Sequence, residues 1–184
     1  MAGRVLRMFE FSKKKYAMGA AARRAALRML LGGLASLALA AGAQTATDWV
    51  KDPSRDCRFV VPASLKGAAT YWVGACPGGK AAGLGMLRNR EGAKAGNAFY
   101  GEMREGIPVM GAIDFDGGGY RVGRFVEGDL GSRDGSWQER HDGFEAALRA
   151  ARAVSAHYVE TKNPASARHY AEVARQLDTQ LDAD

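Results

Sequence analysis

Apolar and polar positions follow two different beats along this chain. Between residues 57 and 130, short runs rich in β-branched and aromatic residues (YWVGAC, FYGEM, VMGAIDF, YRVGRFV) alternate with clusters of glycine, proline and aspartate. Runs of this length and content, bounded by turn chemistry, predict strands. Pro77-Gly78-Gly79 and Asp116-Gly117-Gly118 predict the turns between them. From Arg140 the beat lengthens. Phe144, Leu148, Ala151, Val154 and Tyr158 recur at the spacing of one helix face. Asn163-Pro164 then predicts an N-cap with proline in the first turn. Tyr170, Val173, Leu177 and Leu181 form a second stripe. The expected fold is α+β: an antiparallel sheet of hairpins followed by two amphipathic helices that cover one face or end of it.

The glycines sharpen this division. Eighteen fall in the 69 residues from Gly67 to Gly135, and only Gly143 follows Trp137. They also recur. Gly74 to Gly79, Gly101 to Gly106 and Gly123 to Gly128 each read Gly-x4-Gly, and their first glycines lie 27 and 22 residues apart. Aromatics precede each: Tyr71 and Trp72, Phe99 and Tyr100, then Tyr120. Self-similarity at this period is the mark of a repeat architecture. Glycine weakens a strand unless a neighbouring ring needs its space or the sheet must bend there. Stacked hairpins that bury an aromatic stripe satisfy both conditions.

The pattern YxGxxxxGxxxGxG at about 23-residue intervals resembles the MORN repeat family. The stretch WVGACPGGKAAGLGML is similar to the first repeat of bacterial exported MORN proteins, where cysteine often sits at this place. The resemblance spans residues 57–130. Three departures mark it: Arg121 in place of an aromatic before Gly123, Ile113 where a second paired glycine belongs, and the extra stretch RNREGAKAGN. What the resemblance implies is a short, elongated antiparallel sheet used for contact with a partner, without catalysis.

Charge changes the picture once the N-terminus is set apart. Residues 1–28 hold eight Lys or Arg and one acid, and the apolar run MLLGGLASLALAAGA ends in Ala41-Gly42-Ala43. A basic region, a short apolar region and an A-x-A end read as a secretory signal peptide over residues 1–43. At fifteen residues the run is short for a membrane span, which needs roughly twenty. No cysteine follows to take a lipid, Arg23-Arg24 lacks the flanks of a twin-arginine signal, and Met18 is an alternative start. The whole chain carries 26 basic and 20 acidic residues; without the leader 18 and 19 remain, a net of about −1. The basic balance therefore belongs to the leader. Nucleic acid, whose binding draws on phosphate neutralisation, is not an expected partner. Membrane contact is possible but loses its electrostatic support. The remaining expected organisation is a linker over 44–56, the β-repeat domain over 57–136 and the helical segment over 137–184.

Cys57 and Cys76 are an even pair in an exported chain and read as a disulfide. Their spacing is not that of a redox motif, and His141, His157 and His169 lie far downstream, so no zinc site is expected. If the two cysteines face one another across a hairpin, Phe59 opposes Gly74, Val61 opposes Trp72, and residues 62–70 form the loop.

Candidate chemistry is sparse. Asp114-Phe-Asp116-Gly117 resembles a fragment of a calcium loop but lacks the closing Glu, so it reads as a hairpin turn. Ser54, Ser64, Ser132 and Ser136 have no nucleophile motif around them. His169 and Glu172 read as a solvated pair, and His157 borders the apolar stripe. Arg88, Arg90 and Lys94 form a basic insertion that reads as a solvated loop or a contact for an anionic polymer. Trp72, Phe99, Tyr100, Tyr120 and Phe125 read as inter-repeat core or as partner-binding rings. The expectation is an exported, periplasmic or secreted, non-catalytic contact module for an envelope protein or surface component, without a cofactor. Two alternatives stand beside it: an envelope enzyme or enzyme inhibitor with a groove between sheet and helices, and a peripheral membrane protein.

Overall fold

The computed structural model describes residues 48–131 and 135–183; the leader and Ser132 lie outside the described residues. The architecture is α+β, with two antiparallel sheets followed by two helices. The short sheet pairs β1 (Trp49–Lys51) with β2 (Arg58–Val60). The large one is a six-stranded meander of β3 (Ala69–Ala75), β4 (Ala82–Glu91), β5 (Lys94–Arg104), β6 (Ile107–Asp114), β7 (Tyr120–Val126) and β8 (Asp129–Leu130). Helices α1 (Trp137–Glu160) and α2 (Pro164–Ala183) follow.

The glycine repeat is a structural repeat. Its first glycines lie within strands β3, β5 and β7, and its second glycines close turns. Glu105-Gly106 and Glu127-Gly128 form the two-residue loops of the β5–β6 and β7–β8 hairpins, with φ of 49° and 81°, and 53° and 89°. Positive φ at both positions matches the twist of paired strands, which is why glycine recurs at the second. Across the sheet, Gly85 pairs with Gly101, Gly101 with Gly111, and Gly111 with Gly123. This row has no side chains of its own, and rings stand beside Gly85, Gly101 and Gly111: a methyl on Gly101 would lie 2.6 Å from Phe99 Cζ, and one on Gly111 2.9 Å from Phe99 Cε2.

Because strand side chains alternate, the sheet has two differently covered faces. On one, Met86, Tyr100 and Ala112 pack against the apolar stripes of α1 and α2, including Phe144, Leu148, Val154, Tyr170, Val173 and Leu177. On the other, Trp72, Leu87, Phe99, Ile113 and Phe125 pack against Cys57, Phe59, Val61 and Leu65 of the N-terminal segment. Phe99 and Tyr100 are fully buried, one on each face. A large apolar side chain buried this way contributes roughly 2–3 kcal/mol. Ser136 caps α1, its hydroxyl accepting from the Glu139 amide at 3.2 Å. Asn163 caps α2 by accepting from the Ser166 amide at 3.1 Å.

The disulfide forms, with Cα atoms 6.0 Å apart, but not across the expected hairpin. Phe59 opposes Val50 rather than Gly74, and Val61 does not oppose Trp72. The outer edge of β3 is instead occupied by side chains from the β1–β2 connection. Asp52, which is buried, accepts from the Trp72 amide at 2.8 Å, and Arg55 Nη2 donates to the carbonyls of Trp72 and Gly74 at 2.7 and 3.1 Å. With that edge satisfied, β2 is left to cross the face of the sheet, where the Ala81 amide donates to the Arg58 carbonyl and the Val60 amide to the Gly106 carbonyl. The expected linker thus supplies a strand and an edge cap, and the expected loop over 62–70 contains a helical turn at Ala63–Leu65 and the start of β3.

Candidate functional site

The stretch RNREGAKAGN is not a loop. It lengthens β4 and β5 into a hairpin that extends past β6, turning at Gly92 with φ 60°. Strand alternation then separates its charges. Arg88 and Arg90 share the helix-covered side, whereas Lys94 pairs with Asp116 at 3.1 Å in an exposed ion pair elsewhere on the hairpin. The three cations do not form one patch.

Registry places Arg88 in a polar row. Tyr71 pairs with Arg88, Arg88 with Ala98, Ala98 with Asp114, and Asp114 with Tyr120. The small Ala98 leaves the Arg88 guanidinium and the Asp114 carboxylate within electrostatic reach of each other. Arg88 Nη2 donates to Tyr100 Oη at 2.8 Å, and its Nε is buried with no acceptor among the described residues. The guanidinium carbon lies 5.8 Å from the ring centroid of Tyr170, a cation–π contact. Tyr158 stacks on Tyr170 at 5.3 Å with 10° between the planes. Tyr170 of α2 therefore roofs Arg88, with Tyr158 of α1 stacked on it.

Burial sets the titration of this cluster. It pushes the Tyr100 hydroxyl well above its ordinary range, although Arg88 acts against it. Burial also raises Asp114, with Arg88 and His169 opposing, and lowers His169, with Arg88 adding to the effect and Asp114 opposing it.

Beside the cluster, at the β3 side of the sheet, a cleft of about 430 Å³ opens between the sheet and the end of α1. Tyr71, Arg88 and Arg90 form its floor, His157 and Tyr158 one wall, and Ser54 and Arg55 the other. The described residues that line it include three guanidinium groups and no carboxylate. Asp52, which anchors Arg55 at 3.8 Å, is buried beneath that wall. This is ligand-pocket size, with polar groups set among ring faces.

The expected ring surface is elsewhere. Trp72, Phe99, Tyr100 and Phe125 are buried, and Tyr120 is half-buried against Phe144 with ring centroids 6.0 Å apart. Close strand packing turns these rings inward, so they do not present a partner-binding surface. His157 is exposed, and Glu172 is engaged by Arg175. Asp114 and Asp116 flank a turn closed by the Gly118 amide on the Phe115 carbonyl, and they point to different partners, not to a common ion. His141, Asp142 and Glu145 bring ligand atoms within 4.8 Å of one another on α1. Asp142 already accepts from Gln138 at 2.7 Å, and Glu145 pairs with Arg149 at 3.8 Å. Sequence reasoning missed Asp52, Arg55, Tyr71 and Tyr158 as site-forming residues. A signal was present for Tyr71 and Arg88 in the strand alternation of β3 and of an extended β4.

No family model matches the chain, and no curated protein or solved structure matches it significantly. Among the described residues no helix is long and apolar enough to cross a membrane.

Proposed function

We propose that this is an exported, non-catalytic contact module: a MORN-type sheet, stapled by Cys57–Cys76, that meets an envelope protein or surface component through the cleft between sheet and helices. The observation that carries this reading is the cleft lining, in which Arg55, Arg88, Arg90 and His157 stand among the rings of Tyr71 and Tyr158. Such groups hold a ligand by charge and stacking. The glycine row with rings laid over it supports the MORN resemblance, and a disulfide is compatible with an oxidising compartment.

One observation favours the groove-enzyme reading: Asp114 and His169 each feel the charge of the other and of Arg88. They are not among the residues that line the cleft, which ranks this reading second. The membrane reading is weaker, because the sheet rings that were to form its patch are interior.

The test is crosslinking and affinity capture from envelope extract with the disulfide-intact protein, alongside Arg90→Glu. The expected result is a discrete partner captured by the wild type and lost with the variant, together with cleavage after Ala43 in the exported protein. Capture that ignores the Arg90 charge, or retention of the protein in the cytosol with an uncut leader, overturns the reading.

A further inference from the structure

Deepening the contact-module reading, on which this inference rests, we infer that the cleft takes a small oxyanion, carboxylate or phosphate, carried on a flat ring-sized body. Two features point there. The first is charge with spare donors. Arg90 is exposed and has no ion-pair partner among the described residues, and Arg88 lines the same cleft with its Nη2 engaged by Tyr100. Arg55 supplies a third guanidinium on the facing wall, fixed by the β3 carbonyls. Guanidinium groups present paired donors that match the two oxygens of a carboxylate or phosphate. The second is shape. Tyr71 on the floor and Tyr158 on the wall bound the same space, and Tyr158 is held by its stack on Tyr170. A pre-positioned ring opposite a cationic floor accepts a flat body bearing an anion at one end. A bare anion would leave these ring faces unused, and a neutral ring would leave the guanidinium donors unmet.

The acceptor's source is distinguished by experiment. Benzoate and phenyl phosphate are titrated calorimetrically into the full, disulfide-intact protein, with benzyl alcohol and inorganic phosphate as controls. The expected result is saturable one-site binding of benzoate, phenyl phosphate or both, weakening as salt is raised. Benzyl alcohol and inorganic phosphate bind at least tenfold more weakly than the ring-borne anion, since each lacks one of the two features. Arg90→Gln, at an exposed position, weakens binding by about tenfold or more. Arg88→Gln does so as well if it folds, but the Arg90 variant decides the matter alone. Benzoate binding alone assigns a carboxylate ligand, and phenyl phosphate alone a phosphoryl one. Absence of saturation with either anion, equal binding of benzyl alcohol or of inorganic phosphate, or affinity unchanged by Arg90→Gln overturns the inference. If the envelope partner is still captured in an Arg90-dependent manner while the probes fail, the contact-module reading stands and only the ligand class is wrong. If the probes bind but no partner is captured, the reverse holds.

Discussion

Gly143 of α1 rests directly on the backbone of Gly123 in β7. A methyl on Gly143 would stand 2.7 Å from the Gly123 nitrogen and 3.2 Å from the Gly111 carbonyl oxygen. The lone glycine of the helical half therefore meets the glycine row of the sheet. Glu139, one turn earlier, reinforces the contact by accepting from the Arg124 amide at 3.0 Å. An exposed helix gains about 1 kcal/mol when glycine becomes alanine. Here the added methyl meets backbone that cannot rotate away, and overpacking of this kind costs roughly 1–3 kcal/mol. Gly143→Ala is expected to lower the free energy of unfolding by about 1 kcal/mol in urea denaturation. A gain in stability would show that α1 does not sit on the row.

The buried carboxylate of Asp52 holds the edge of β3. It accepts from the Trp72 amide at 2.8 Å, from the Ser54 amide at 2.8 Å and from the Ser54 hydroxyl at 2.7 Å. Asp52→Ala leaves the Trp72 amide unpaired in the interior and frees the Arg55 wall of the cleft. The expected loss is roughly 3 kcal/mol, since bonds to a charged acceptor are the stronger kind. Hydrogen exchange offers a second readout: the Trp72 amide, slow in the parent, is expected to exchange much faster in the variant. Unchanged protection there would remove Asp52 from its assigned role.

These two contacts mark the limit of what the chain discloses by itself. Periodicity is local, so both helices, the Asn163 cap and the turns at Pro77–Gly79 and Asp116–Gly118 were legible in it. The glycine beat announced the strands and rings because Gly74, Gly85, Gly101 and Gly111 each answer to a ring two residues away or on an adjacent strand. The Asp52–Trp72 bond joins residues 20 apart and starts in a segment that reads as a linker, and no spacing betrays it. The cysteine pair was legible as a bond but not as a register, because a disulfide fixes two atoms and not a strand partner. The cleft was hidden for a further reason. Much of its floor lies in a stretch whose charge and glycine content look like a loop, and only pairing with β3 and β5 makes it a strand.

Glu127 occupies the first position of the β7–β8 turn at φ 53°, a left-handed conformation that side chains other than Asn, Asp and Gly adopt at a penalty. It is exposed and forms no ion pair among the described residues. Glu127→Asn gives the favoured Asn-Gly sequence of this turn. The expected gain is about 0.5–1 kcal/mol, read as a higher thermal midpoint. No gain would mean that the turn is not held in this geometry in solution.

Cys57 and Cys76 close a loop with a sequence separation of 19 and join the N-terminal segment to the end of β3. In the loop-entropy account such a cross-link stabilises by roughly 3 kcal/mol. The double variant Cys57→Ala/Cys76→Ala is expected to lose about that much, and reductant is expected to destabilise the parent but not the variant. Insensitivity of the parent to reductant under denaturing titration would indicate that the bond does not stabilise the fold.

His169 supplies a pH dependence with a definite sign. Burial, aided by Arg88 and opposed by Asp114, lowers its folded value below the ordinary 6.5. As pH falls from above 6.5, the unfolded chain takes up this proton first. Stability contributed by the neutral imidazole is fully present above the unfolded value and is lost as pH descends through the folded one. Asp114 works the other way: burial raises it above 3.8, with Arg88 and His169 opposing, so the folded state protonates first and stability is gained further down the scale. His169 is exposed and Asp114 half-buried, so solvent screening keeps each effect modest. The parent protein is expected to show a falling denaturation midpoint on acidification from about pH 7.5 to about pH 5, and His169→Gln a flatter profile over that window. Nuclear magnetic resonance titration of the imidazole gives the direct measure. A His169 that titrates at or above 6.5, or a variant whose profile matches the parent's, would show that the Arg88 cluster does not depress this exposed imidazole.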